Sequence, residues 1–187
     1  MQRRQFLSLA ASAVPLFGAC ELGAQPDKAA KAQSGRTIGE MRSEWKGFLP
    51  SGANVPSPTP PLALSQDEWR KRLAPEQFKV LREEGTERPG SSKLNGEKRR
   101  GTYACLGCGL PLFTSEMKYE SGTGWPSFFT TIPGVFGTKE DNFLFQTRVE
   151  YHCIRCGGHH GHVFRDGPAP TYERWCNNGV ALTFLPA

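Results

Sequence analysis

Cys105-Leu-Gly-Cys108-Gly109 and Cys153-Ile-Arg-Cys156-Gly157 are two copies of one form, C-x-x-C-G. This repetition constrains the fold more than any other feature of the chain. Two residues between cysteines let a tight turn point both sulfurs at one ion, and the following glycine permits the backbone that closes the turn. Two such turns brought together supply four thiolates, the tetrahedral set that a structural Zn²⁺ prefers. Two disulfides or a thioredoxin-like redox pair are the rival uses of these cysteines. The duplicated form favours one zinc per chain, held by Cys105, Cys108, Cys153 and Cys156. Two distant segments must then meet at a single point, and the fold has to be built around that meeting.

The start of the chain reads as an export leader. "MQRRQFLSLAASAVPLFGAC" has a basic tip, an apolar run from Phe6 to about Ala19, and small residues before Cys20. The run is too short for a membrane span. Arg3-Arg4 followed by Gln5-Phe6-Leu7 resembles a twin-arginine signal, and "FGAC" also resembles a lipoprotein cleavage box. Residues 1–24 are therefore expected to be the signal, with Cys20 removed or carrying a lipid tether. The expected location is periplasmic, or anchored on the outer side of the cytoplasmic membrane. Twin-arginine export carries folded proteins, so the metal could be loaded before the thiols meet an oxidant.

Without the leader, 21 basic and 17 acidic residues remain, a net charge of +4. Four thiolates and one Zn²⁺ lower this to about +2. The charges are mixed rather than striped, which argues against a nucleic-acid-binding zinc ribbon.

Residues 25–64 are rich in Ala, Ser, Gly and Pro and read as a flexible linker. The compact domain is expected over residues 65–187. Ser65 and Glu68 fit a helix capping box, with Trp69 and Leu73 on one helical face. Pro75 suits the first turn of a second short helix, with Phe78 and Leu81 inward and Gly85 as its stop. Beyond Thr102 the hydrophobic period becomes two. In "FLFQTRVEY", Phe143, Phe145, Thr147, Val149 and Tyr151 share one face of an expected strand; "VALTF" places Val180, Leu182 and Phe184 together. Short strands between Gly and Pro turns predict a mainly β domain of antiparallel sheet.

Cys176 is the one cysteine left over. It lies in "ERWCNNG", with Arg174 two residues before it and Asn178 two after it, all on one face if the stretch is extended. A buried free cysteine is usually a small apolar residue. Arg, Asn, Asn and Gly around it instead suggest an electropositive site that lowers the thiol pKa and makes a nucleophile.

"SGTGWPSF", "GGHHGHVFRDGPAP" and "RWCNNGVALTF" resemble the signature blocks of the B-type peptide-methionine (R)-S-oxide reductases. "DEWRKRLAPEQFKVLREEGTERPG" is similar to that family's lead-in, and the two knuckles to its zinc site. The resemblance implies a β-tent of two antiparallel sheets and assigns Cys176 as nucleophile. His159 and His162 match the family's histidines, and Arg174 and Asn178 the polar residues beside the nucleophile. Trp125 matches the aromatic that packs on the substrate methyl group. The implied reaction is thiol-dependent reduction of the R epimer of methionine sulfoxide, free or in a protein. A Cys176 thiolate attacks the sulfoxide sulfur while an imidazolium protonates its oxygen, giving methionine and a sulfenic acid on Cys176. Many members carry a resolving cysteine in the first of these blocks; this chain has Thr123 there. An external thioredoxin-like protein or small thiol is then the expected reductant, and a monomer the expected state. The reading from another class, a non-catalytic zinc-knuckle binding module, accounts for four cysteines but leaves Cys176, Arg174, His162 and Trp125 unexplained together.

Overall fold

The computed structural model describes residues 35–143 and 146–187; the expected leader and the first part of the expected linker lie outside the described residues. Nine strands form two antiparallel sheets. They are β1 Gly101–Cys105, β2 Pro111–Thr114, β3 Lys118–Tyr119, β4 Ser127–Phe128, β5 Phe136–Phe143, β6 Gln146–Cys153, β7 His159–Phe164, β8 Arg174–Asn177 and β9 Leu182–Pro186. The smaller sheet has the order β2-β1-β9, the larger β3-β4-β8-β7-β6-β5. The core between them is strongly aromatic. Phe113 stacks on Phe128 with ring centroids 3.9 Å apart, and Tyr151 meets Phe136 and Trp175 edge-on at 4.8 and 5.0 Å.

Three short helices accompany the sheets: α1 Ile38–Ser43, α2 Gln66–Arg72 and α3 Pro75–Glu83. The Ser65 hydroxyl accepts from the Glu68 N–H, and the Glu68 carboxylate accepts from the Ser65 N–H at 2.7 Å, which is the capping box read from the sequence. Trp69, Leu73, Phe78 and Leu81 are buried as expected. The stop of α3 differs in detail. Glu84, not Gly85, takes the left-handed conformation, with φ 55°.

Part of the expected linker is folded onto the domain. Thr37 and Glu40 form a second capping box that starts α1, and a 3-10 turn follows over Trp45–Phe48. Met41 and Phe48 are each 1 % exposed. The Thr102 hydroxyl donates to the Phe48 carbonyl at 2.8 Å, Arg100 donates to Gly47 O at 2.8 Å, and the Arg100 guanidinium lies 3.8 Å from the Phe48 ring centroid. Further along, the Leu62 N–H donates to Arg155 O at 2.6 Å, beside a knuckle. The segment is a strap. Its polar composition hides two anchors, each worth about 1.5–3 kcal/mol when buried.

The expected continuous strand through "FLFQTRVEY" is the end of β5 and the start of β6, two strands of a hairpin. Within β6 the two faces alternate as read, and burial does not follow hydrophobicity: Val149 is 40 % exposed and Glu150 only 2 %. Val180 belongs to a 3-10 turn rather than to the final strand.

Candidate active site

The register of the larger sheet assembles the site. Ser127 on β4, Cys176 on β8, His162 on β7 and Glu150 on β6 are direct cross-strand partners in sequence, and Tyr119 and Lys139 extend the row at either end. Cross-strand partners project from the same face. One transverse row therefore carries the Cys176 thiol between a hydroxyl and an imidazole. The row closes up at Gly161, where a Cβ would lie 1.9 Å from the Cys176 carbonyl oxygen. Only glycine fits, and this explains the Gly between the histidines.

A cavity of about 250 Å³ opens over Cys176, lined among others by Thr123, Trp125, Arg148, His162, Phe164, Arg174 and Asn178. Arg174 is held by a two-pronged ion pair to Asp166, with Nε and Nη2 at 2.8 and 2.9 Å from its two oxygens, and lies over the Phe164 ring. The same guanidinium favours the Cys176 thiolate by its charge. Burial nevertheless dominates and pushes the Cys176 thiol above its ordinary range; Arg174 and a Thr123 hydrogen bond offset it only in part. The expectation of a lowered thiol pKa is thus corrected: the cation is present, but the half-buried position outweighs it.

His162 Nε2 lies 2.7 Å from Asp141 Oδ2, which also accepts from Arg148 at 2.6 Å. Burial lowers the His162 pKa, and the Asp141 bond works against that. His159 is brought near without lining the cavity over Cys176. It is 2 % exposed, its ring centroid is 5.5 Å from that of His162, and its Nδ1 is 2.7 Å from Glu150 Oε1. Asn178 lines the cavity, but its amide is occupied as a brace. Oδ1 accepts from the Glu87 N–H at 2.9 Å and Nδ2 donates to His160 O at 3.0 Å.

The four knuckle cysteines come together elsewhere in the fold. All are buried and unbridged, and their sulfurs lie within 4.8 Å of one another. The Cys105–Cys156 and Cys108–Cys153 sulfurs are 3.6 Å apart. A disulfide needs about 2.05 Å. A tetrahedral ion with Zn–S bonds of about 2.3 Å places its sulfurs roughly 3.8 Å apart. The donor set therefore fits a metal ion and not two disulfides. Gly109 and Gly157 have φ of 77° and 67° and close the turns as their positions predicted.

The SelR domain model matches residues 73–186 of the chain. The peptide methionine sulfoxide reductase MsrB of Methanosarcina barkeri (strain Fusaro / DSM 804) is 54 % identical over 121 residues, covering 64 % of this chain and 85 % of that protein. The protein of the same name from Leifsonia xyli subsp. xyli (strain CTCB07) is 48 % identical over 127 residues, 67 % of this chain and 91 % of that one. The chain belongs to the peptide methionine sulfoxide reductase MsrB family.

In this MsrB-family site several polar partners were not anticipated. Glu87 is a hub. Its carboxylate accepts from the Gly179 and Val180 N–H groups at 2.7 and 2.8 Å, its carbonyl accepts from Trp125 Nε1 at 3.2 Å, and its own N–H reaches Asn178. It thereby positions both the Trp125 wall and the turn after Cys176. Asp141, Glu150 and Asp166 orient His162, His159 and Arg174 in turn. Asp166 and Glu87 stood inside blocks that resemble the family, without a role assigned to either; Asp141 lay outside all of them.

Proposed function

We propose that the protein reduces the R epimer of methionine sulfoxide, free or within a polypeptide, through a sulfenic acid on Cys176. The observation that carries this reading is the meeting of Cys176, His162, Arg174 and Trp125 at one small cavity. Trp125 and Phe164 supply an apolar wall for the S-methyl group. His162, with Nε2 engaged by Asp141, offers Nδ1 to the sulfoxide oxygen. A wall and a proton donor at fixed places around a chiral sulfur favour one epimer. The Cys176 thiolate attacks the sulfoxide sulfur, the oxygen takes a proton from the imidazolium, and the S–O bond breaks as oxygen passes to Cys176. Methionine leaves, reduced by two electrons, and Cys176 is oxidised to the sulfenic acid. Positioned general-acid help of this kind is worth about 10²–10⁴-fold.

Thr123 cannot resolve a sulfenic acid. An external thiol, from a thioredoxin-like protein or a small molecule, attacks it instead, releases water and forms a mixed disulfide; a second thiol then frees Cys176. The metal is a zinc ion on Cys105, Cys108, Cys153 and Cys156, supplying folding energy rather than chemistry. Export by the leader, periplasmic residence or a tether through Cys20, and a monomeric state complete the proposal. Arg3-Arg4 and the apolar run after them support export. None of the described helices is long and apolar enough to cross a membrane.

The test compares wild type and Cys176→Ser on separated epimers with dithiothreitol. Consumption of the R epimer alone, abolished by the substitution with metal content intact, is expected. Turnover surviving in Cys176→Ser, or equal loss of both epimers, refutes the reading.

A further inference from the structure

Three hydroxyls line up behind Cys176. Thr123 Oγ1 is 2.8 Å from Ser121 Oγ, which is 2.8 Å from Ser127 Oγ, which lies 3.1 Å from the Trp125 carbonyl oxygen. Thr123 lines the cavity with Cys176, which places its hydroxyl beside the thiol. Ser127 is fully buried and directly opposite Cys176 in the sheet. The Thr123 N–H also donates to Ser121 Oγ, at 3.4 Å.

We propose that Thr123 is a further catalytic residue of this site: backed by Ser121 and Ser127, its hydroxyl stabilises the Cys176 thiolate through a hydrogen-bond chain that reverses direction when the thiol loses its proton. The inference rests on the reading of Cys176 as nucleophile and deepens it.

Each hydroxyl has one proton to give and two lone pairs to receive with. While Cys176 is a thiol, its S–H can donate to Thr123. The chain then runs from Thr123 to Ser121, from Ser121 to Ser127, and from Ser127 to the Trp125 carbonyl, which can only accept. A thiolate can only accept too. The chain then runs the other way: Thr123 donates to sulfur, Ser121 to Thr123, and Ser127 to Ser121. In both directions Ser121 Oγ receives the Thr123 N–H and one hydroxyl, so every hydroxyl proton has an acceptor. No proton enters or leaves the chain. The thiol proton goes to solvent or to His162, and three O–H bonds rotate. Reversal gives up the longest contact, to Trp125 O, and gains a charge-assisted bond to sulfur. Chains of this kind reinforce each donor in turn. The sulfenic acid, a donor again, returns the chain to its first direction.

The charged and titratable groups around the sulfur are Arg174 on β8, His162 on β7, Arg148 and the buried Tyr151 on β6, Tyr119 on β3, and Asp166 behind Arg174. Of these, Arg174 does most to favour the thiolate, and the Thr123 hydroxyl acts in the same direction. A half-buried thiolate gains from a neutral donor beside the cations, and the family's resolving thiol is replaced here by a group that can supply one.

The test titrates Cys176 directly. Iodoacetamide alkylates thiolates, and mass spectrometry of the peptide holding Cys176 gives the rate against pH without any sulfoxide. Thr123→Val should move the midpoint to higher pH and slow alkylation near neutrality about tenfold. Thr123→Ala, should Val crowd the cavity, should do the same, and Thr123→Ser should behave as wild type. Ser121→Ala, which does not touch the sulfur, should shift the midpoint in the same direction about two- to threefold in rate. Zinc content and thermal midpoint identify any variant that is merely misfolded. A wild-type midpoint in both Thr123→Val and Thr123→Ala overturns the proposal, as does a wild-type midpoint in Ser121→Ala beside a shifted Thr123 variant. Failure of the sulfoxide reading would instead appear as turnover by Cys176→Ser and leave this titration unaffected.

Discussion

Asp141→Asn tests the electrostatics of the cavity most directly. Asp141 Oδ2 is 2.7 Å from His162 Nε2, and the bond favours the imidazolium against the burial that disfavours it. Cys176 is displaced the other way, its thiol held above the ordinary range by burial. The proposed mechanism needs thiolate and imidazolium together, so on that reading the reactive form is a minority at every pH. Between the two pKa values its fraction does not change with pH and depends only on the gap between them. Below the His162 pKa the thiolate is lost without further gain of imidazolium; above the Cys176 pKa the imidazolium is lost without further gain of thiolate. The acid limb of the profile therefore belongs to His162 and the alkaline limb to Cys176.

Asparagine keeps the shape and an acceptor oxygen but removes the charge. Asp141 is shared with Arg148 and half-open to water, so the loss is placed at the low end for a charge-assisted bond, about 1.4 kcal/mol. That predicts a plateau in kcat/KM about tenfold lower. The acid limb should move to lower pH, because the imidazolium has lost support, and the alkaline limb should stay. Most of the fall should appear in kcat. Initial rates with dithiothreitol across acid, neutral and alkaline buffers measure all of this. A lowered plateau with an unmoved acid limb would show that Asp141 acts through packing alone, and a limb moved to higher pH would reverse the argument.

Replacing Cys153 by Ser should leave three thiolates and abolish both metal binding and cooperative unfolding; metal analysis of untagged wild type should give one zinc per chain, and two disulfides without zinc would refute the site. Glu87→Ala should orphan the buried N–H groups of Gly179 and Val180, costing about 2–4 kcal/mol in urea unfolding. Because burial raises the Glu87 pKa, its linkage contribution is present below the ordinary carboxylate range and lost as pH rises through the folded value; the stability gap between wild type and Glu87→Gln should thus narrow from acid to neutral pH. Deleting residues 1–64 should lower the thermal midpoint and expose the surface now covered by Met41 and Phe48. An unchanged midpoint would show that the strap adds nothing.

The knuckles, the lone cysteine and the antiparallel class were legible because each has a short-range signature. C-x-x-C-G dictates a turn whatever surrounds it, and glycine at Gly109 and Gly157 serves a local backbone need. The capping box at Ser65 is equally local. The strap carried the same signal in Thr37 and Glu40, yet the Pro- and Ser-rich stretch after it outweighed that signal. Composition counts large apolar residues; it does not reveal that Met41 and Phe48 face one surface of the smaller sheet.

The polar partners of the site were hidden for a different reason. Alternation tells which residues of one strand share a face, but the sheet brings Cys176, His162 and Glu150 into one row through register, and register is fixed by turns and by the irregularity between Tyr151 and His152. Alternation also assumes a dry face and a wet one. Here α3 and the chain after it cover the face that carries the row, so Glu150 is buried, while Val149, in the middle of its strand, reaches solvent. Buried carboxylates survive there because each meets a histidine, an arginine or backbone N–H groups. Such pairs join residues distant in sequence, as Glu87 and Val180 do. Their burial lets the protein set the protonation of a histidine and a thiol against the pull of desolvation, and an adjoining chain of neutral hydroxyls can do part of that work without adding a charge.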